Sequence, residues 1–180
     1  MNFAAQFWDD SITPSHPEVQ RLCQSLEGGN RAALAQAITL VESWSPRRKA
    51  IGEQLLSYFL RKEKEAYTQH GHKSLIFRIG ISGAPGVGKS SFIETFGQYL
   101  IKEHNKKVAV LTVDPSSQTS GGSLLGDVTR MGELSRNPRA YIRSSPTRGT
   151  LGGVTHGTRE AIILCEGAGF DIVLIETVGT

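Results

Sequence analysis

Apolar positions recur at helical spacing through the first part of the chain and change to short unbroken runs in the rest. Leu34, Ile38 and Val41 fall at i, i+4 and i+7, the spacing of one helix face, and Asn30 stands where its side chain can cap the first turn. Before them, Pro17 to Leu26 reads as a shorter helix closed by Gly28-Gly29. After them, Ser45 and Pro46 form an N-cap and first-turn proline for a third helix. That helix carries Ile51, Leu55, Tyr58 and Phe59 on one face and Arg61, Lys62, Glu63, Lys64 and Glu65 on the other, and ends near His70-Gly71. Residues 1–73 are therefore expected to be a helical arm, docked on the rest of the chain or used to bind a partner.

From residue 74 to 180 the pattern is strand, loop, helix, repeated. Leu75 to Ser82 predicts a buried strand, Gly83 to Gly88 a glycine-rich loop, and Lys89 to His104 a helix with Phe92, Ile93, Phe96 and Leu100 facing inward. Lys107 to Asp114 (KVAVLTVD) and Asp171 to Glu176 (DIVLIE) are nearly continuous apolar runs, as expected of parallel strands covered on both faces. Between them a helix from Asp127 to Ser135, a short strand at Tyr141–Arg143 and a helix from Val154 to Glu166 are expected. Strands alternating with helices imply an α/β fold with a doubly wound parallel sheet and right-handed crossovers. There is no internal repeat and no low-complexity tract.

Composition changes this picture little. Hydrophobic residues make up 38% and charged residues 21% of 180, a folded rather than a disordered balance. A net charge of +3 suits phosphate handling without arguing for nucleic acid, and the basic runs Arg47-Arg48-Lys49 and Lys106-Lys107 read as solvated positions. Cys23 and Cys165 lack disulfide or metal spacing, the first ten residues are neither an h-region nor a transit peptide, and no stretch is long enough to span a bilayer. The cytoplasm is the expected compartment.

The chemistry is concentrated in Gly83-Ala84-Pro85-Gly86-Val87-Gly88-Lys89-Ser90, which fits G-x-x-x-x-G-K-[ST] in full. Its glycines let successive N–H groups turn inward as an anion nest, and the helix that begins there aims its positive end at the same place. Lys89 is placed to reach the β- and γ-phosphates and Ser90 to ligate Mg²⁺. Asp114 and Glu176 close two apolar strands, and in an open parallel sheet ligands bind beyond those carboxyl ends. Either carboxylate alone reads equally well as a loop cap; beside a P-loop, both are expected to hold Mg²⁺ or orient a water. Gly179, just after Glu176, can present a backbone N–H to the γ-phosphate as a switch. The polar stretches Asp114–Asp127 and Ser144–Gly153 are expected to be loops around nucleotide and metal, and Arg148 either approaches the phosphates or a partner or lies on the surface. The histidines lack metal-ligand spacing.

Taken together, GAPGVGKSSFIE, VAVLTVDPSSQTSGGSLLGDVTRM, SPTRGTLGGVT and DIVLIETVG resemble the methylmalonyl-CoA mutase-associated GTPases, the MeaB/ArgK family, from about Ile79 to Gly179. The resemblance implies a P-loop NTPase of the SIMIBI type. It also implies slow GTP hydrolysis with Mg²⁺, and a chaperone that gates adenosylcobalamin loading and exchange in a cobalamin-dependent mutase. GTP and GDP, the mutase and, for a full-length member, a second copy of itself would be its partners, with no nucleic acid or membrane. By the same resemblance Gly83 to Ser91 (Ser91 included) bind phosphates, and Asp114, Asp127 and Glu176 surround metal and attacking water. Asp127 rests on the resemblance alone. Family members continue past ETVG into a guanine-reading segment, whereas Thr180 already stands where valine is usual, so the sheet is expected to be incomplete.

Two other readings stay open at this point. The family's older descriptions speak of a lysine/arginine/ornithine transport ATPase or kinase, which would need an acidic acceptor pocket. The other is a truncated module that binds partners without turning over nucleotide.

Overall fold

The computed structural model describes residues 8–74, 76–114, 131–146 and 156–177. It divides into two compact units, one comprising Met1–Leu75 with Glu160–Gly169, the other Ile76–Arg159 with Phe170–Thr180.

The first unit contains α1 (Pro17–Glu27), α2 (Arg31–Val41) and α3 (Pro46–His70). Local chemistry sets the ends. The Asn30 side chain accepts from Ala33 N–H at 3.0 Å, as its position predicts. His16 Nδ1 does the same for Glu18 N–H at 3.3 Å before Pro17. Ser45 occupies the N-cap of α3 but makes no side-chain cap bond. Its own N–H instead donates to Ser43 Oγ at 3.2 Å. Gly71, with φ at 58°, ends α3 in a left-handed turn. Leu22, Leu26, Leu34, Ile38, Ile51 and Leu55 are fully buried between these helices. Close approach requires two glycines: a Cβ on Gly52 would lie 2.9 Å from Val41 Cγ1, and one on Gly167 only 2.4 Å from Phe59 Cδ1.

The second unit holds β1 (Phe77–Ile81), α4 (Lys89–His104), β2 (Val108–Asp114), α5 (Gly132–Arg136), β3 (Ala140–Pro146) and β4 (Ile172–Glu176). Helix α6 (His156–Gly167) begins in this unit and ends in the first. The four strands are all parallel in the order β1-β4-β2-β3. This is the α/β sheet the alternation predicts. Ile79, Val108, Val110, Ile142, Ile172 and Leu174 form one face, and Ile93, Leu100 and Ile101 of α4 with Met131 and Leu134 near α5 pack on it. On the other face Ala109, Leu111 and Val173 are buried too, so the central strands are covered on both sides.

Two expectations fail here. β1 is not a buried strand: Phe77 is 69% exposed, and every position of the strand is exposed or half-buried. Among the described strands it pairs only with β4, so it is an edge, and a run of apolar letters does not reveal whether a strand has one neighbour or two. Phe92 does not face inward either, being 53% exposed and stacked on Phe96 at 5.4 Å. It falls on the flank of the α4 face defined by Ile93, Gly97, Leu100 and Ile101.

Candidate nucleotide-binding site

The loop between β1 and α4 turns on two glycines that only glycine suits, Gly86 at φ 80° and Gly88 at φ 95°. Gly88 is also the N-cap of α4, and with no side chain it leaves the first N–H groups of that helix uncapped. Those donors and the positive end of a 16-residue helix face the same space. Lys89, half-buried, folds over the loop, donating to Gly83 O at 2.6 Å and Ala84 O at 3.1 Å. An ammonium has three N–H groups, so one remains for an anion.

Sheet register brings the next group to the same edge. Ile81, Glu176 and Thr112 stand side by side across β1, β4 and β2, and paired residues of parallel strands share a face. That face is the one α4 covers. In consequence Ser90 Oγ, in the first turn of α4, donates to Glu176 Oε1 at 3.4 Å. A hydroxyl and a carboxylate this close are both hard oxygen donors of the kind Mg²⁺ accepts, and a site completed by phosphate oxygens and water needs only one or two protein ligands. No group of three or more His, Cys, Asp or Glu able to hold a metal occurs among the described residues. Beyond Glu176 the chain is tied back to β1, Thr177 N–H donating to Ile81 O at 3.0 Å.

Of the residues singled out in the sequence, Gly83, Ala84, Pro85, Gly86, Val87, Gly88, Lys89, Ser90 and Ser91 form the loop and first helical turn, and Glu176 is brought against them. Asp114 ends β2, two positions past Thr112, at the same carboxyl edge of the sheet. Asp127, Arg148 and Gly179 lie outside the described residues.

Sequence reasoning passed over Glu94. One turn beyond Ser90, its Oε1 accepts from Leu134 N–H at 3.0 Å and so fastens α5 to the P-loop helix. A carboxylate between Ile93 and Gly97, on the flank of an otherwise apolar face, was the available signal. Thr112, 3% exposed, is a second: a hydroxyl set within an apolar strand, next to Glu176 in register.

The model of the family described as "Methylmalonyl Co-A mutase-associated GTPase MeaB" matches residues 34–180. A Caenorhabditis briggsae protein named methylmalonic aciduria type A homolog, mitochondrial, is 64% identical over 172 residues, covering 96% of this chain and 42% of that protein. The Escherichia coli GTPase ArgK is 50% identical over 154 residues, covering 86% of this chain and 43% of its own length. A solved structure titled as an LAO/AO transport system kinase superposes with a TM-score of 0.68 at 36% identity, covering 92% of this chain and 45% of that one. The chain thus spans under half the length of these relatives. With a family model matched over most of its residues and relatives at 50–64% identity, the chain belongs to the methylmalonyl-CoA mutase-associated GTPase (MeaB) family.

Proposed function

We infer that this chain is the nucleotide-binding portion of a GTP-hydrolysing chaperone that assists a cobalamin-dependent acyl-CoA mutase, gating the loading and protection of its cofactor. The observation that supports this most is the approach of Ser90 Oγ to Glu176 Oε1, 3.4 Å apart at the end of the phosphate loop. Oxygen donors from the first turn of the P-loop helix and from a neighbouring strand end are what a nucleotide-bound Mg²⁺ uses. In this reading the N–H groups from Gly83 to Ser91 cradle the phosphates, and Lys89 places its charge on the β- and γ-oxygens. Ser90, Glu176, Asp114 and Asp127 surround the metal, and Gly179 meets the γ-phosphate. Bound Mg²⁺ would offset charge developing on the phosphoryl oxygens, so the protein's part is positioning and electrostatics rather than covalent chemistry.

Guanine preference and the mutase partner rest on the names of the family and its members. No helix of the described residues is long and apolar enough to cross a membrane. The cytoplasm expected from the sequence stands beside the word mitochondrial in the names of the nematode relatives, and fractionation of cells expressing the full-length protein decides between them.

Calorimetric titration tests the reading. The 180-residue chain should bind Mg·GTP and Mg·GDP, and the full-length protein should hydrolyse GTP and alter adenosylcobalamin transfer to the mutase in a GTP-dependent way. Transfer indifferent to GTP would overturn the chaperone reading. The name given to the solved neighbour favours one alternative, phosphate transfer to a basic amino acid. Release of free phosphate with no phosphorylated arginine or ornithine excludes it.

A further inference from the structure

The helical unit holds a cavity of about 470 Å³ lined by α1, α2 and the start of α3, and the nucleotide chemistry makes no use of it. Its apolar lining includes Leu40 and Ile51, both buried. Arg47 and Arg48 also line it, both of them exposed, with Glu18 and Gln36 completing the polar wall. One carboxylate of the chain already approaches the basic residues, Asp9 Oδ2 lying 3.7 Å from Arg47 Nη1. That contact is a solvent-accessible ion pair near the outer limit of ion-pair distance, weak enough for a competing carboxylate to displace it. The Arg48 side chain has no hydrogen-bond or ion-pair partner among the described residues.

Size and lining together select the ligand. A water occupies about 30 Å³ of liquid, so a cavity of this volume far exceeds a lone inorganic anion and matches two or three amino-acid side chains. Two guanidiniums beside an aliphatic wall call for a carboxylate and an apolar group held next to each other. Glu18 repels a second carboxylate on its side and accepts a backbone N–H instead, which would give the bound segment a direction.

We propose that this cavity receives an acidic segment of a partner protein, in which a Glu or Asp side chain pairs with Arg48 and Arg47 and an adjoining aliphatic side chain packs on Leu40 and Ile51. The site is independent of the P-loop, so it stands or falls apart from the nucleotide reading.

The test is amide NMR on the ¹⁵N-labelled 180-residue chain, titrated with the blocked peptide acetyl-Glu-Leu-Glu-Leu-amide, its Gln-Leu-Gln-Leu analogue and inorganic phosphate. The acidic peptide is expected to give saturable shifts centred on Gln36, Thr39 and Ile51, with a Kd of roughly 0.1–1 mM for so short a ligand. The glutamine analogue should bind at least ~10-fold weaker, about the 1.4 kcal/mol that one charge-assisted bond supplies. Arg48→Ala should weaken the acidic peptide to a similar degree. The proposal is overturned if the peptide gives no saturable shift, or if the glutamine analogue binds equally well. Phosphate that produces the same shifts and competes would also overturn it, since the cavity would then be a generic anion site. The peptide comparison uses unaltered protein, so its outcome does not depend on the variant folding.

Discussion

At the scale of single residues, what matters in the phosphate site is where charge is held before any ligand arrives. Lys89 is anchored by two carbonyls of its own loop, a geometry that keeps the ammonium over the nest rather than in solvent. If Lys89 neutralises phosphoryl oxygens, Lys89→Ala in the full-length protein should lower kcat for GTP by about 10²-fold or more, the range seen when one preorganised charge stabiliser is removed. If Glu176 helps to hold Mg²⁺, Glu176→Gln should raise the Mg²⁺ concentration needed for half-maximal turnover while GDP affinity measured without Mg²⁺ stays unchanged. A second residue-scale effect lies in the helical unit. Lys62 and the Tyr58 hydroxyl both donate to Glu27 Oε1, and these bonds hold the Glu27 carboxyl below its ordinary range. A depressed folded value means the stabilisation is complete above the unfolded pKa of about 4.3 and fades as pH falls through the folded value. Glu27→Gln should therefore destabilise by no more than about 1 kcal/mol at pH 7, given how exposed the pair is, and by almost nothing at pH 2. Urea midpoints of the two proteins at both pH values check it.

At the scale of elements, close contacts decide which substitutions the fold resists. Gly167 closes α6, and an added Cβ would meet the ring of Phe59, itself buried, at 2.4 Å. Alanine gains up to about 1 kcal/mol of helix propensity there, but overpacking costs roughly 1–3 kcal/mol, so Gly167→Ala should lower the melting temperature. Glu94 binds the Leu134 N–H beneath a fully buried Leu134 side chain. Glu94→Ala should cost about 1–3 kcal/mol for the orphaned donor and speed hydrogen exchange at Leu134, while Leu111 in β2 stays protected. These contacts also mark the limit of what could be read from letters. Asn30, Pro46, Gly71 and the strand runs KVAVLTVD and DIVLIE were legible because each acts through its own neighbours: a cap, a first-turn proline, a left-handed stop, an apolar run. The edge position of β1, the outward turn of Phe92 and the reach of Glu94 to α5 depend on which elements become neighbours in space. The phosphate loop was readable because its parts are contiguous, and Glu176 because strand ends gather at one edge of a parallel sheet. No spacing announces that Ser90 and Glu176, 86 positions apart, meet.

For the whole molecule, the two units are discontinuous in sequence. Residues Glu160–Gly169, including the buried Ala161, Leu164 and Cys165, group with the N-terminal helices, yet they are inserted between β3 and β4 of the other unit. A fragment ending at residue 75 therefore lacks part of its own unit, including the Gly167 surface that meets Phe59. Such a fragment should melt well below the intact chain. Because the chain threads from one unit into the other and back, the units are expected to unfold together when ligand is bound. A nucleotide bound only by the native P-loop stabilises by RT ln(1 + [L]/Kd), about 2.7 kcal/mol at a hundredfold excess over Kd. Both tryptophans, Trp8 and Trp44, lie in the helical unit, so their fluorescence reports on that unit and not on the one that binds phosphate. Unfolding β3 and β4 would free both ends of a segment that groups with the helical unit. The tryptophan transition should therefore move upward with Mg·GTP in step with the loss of sheet signal in circular dichroism. A tryptophan transition that stays fixed while the sheet signal shifts would show the units unfolding independently.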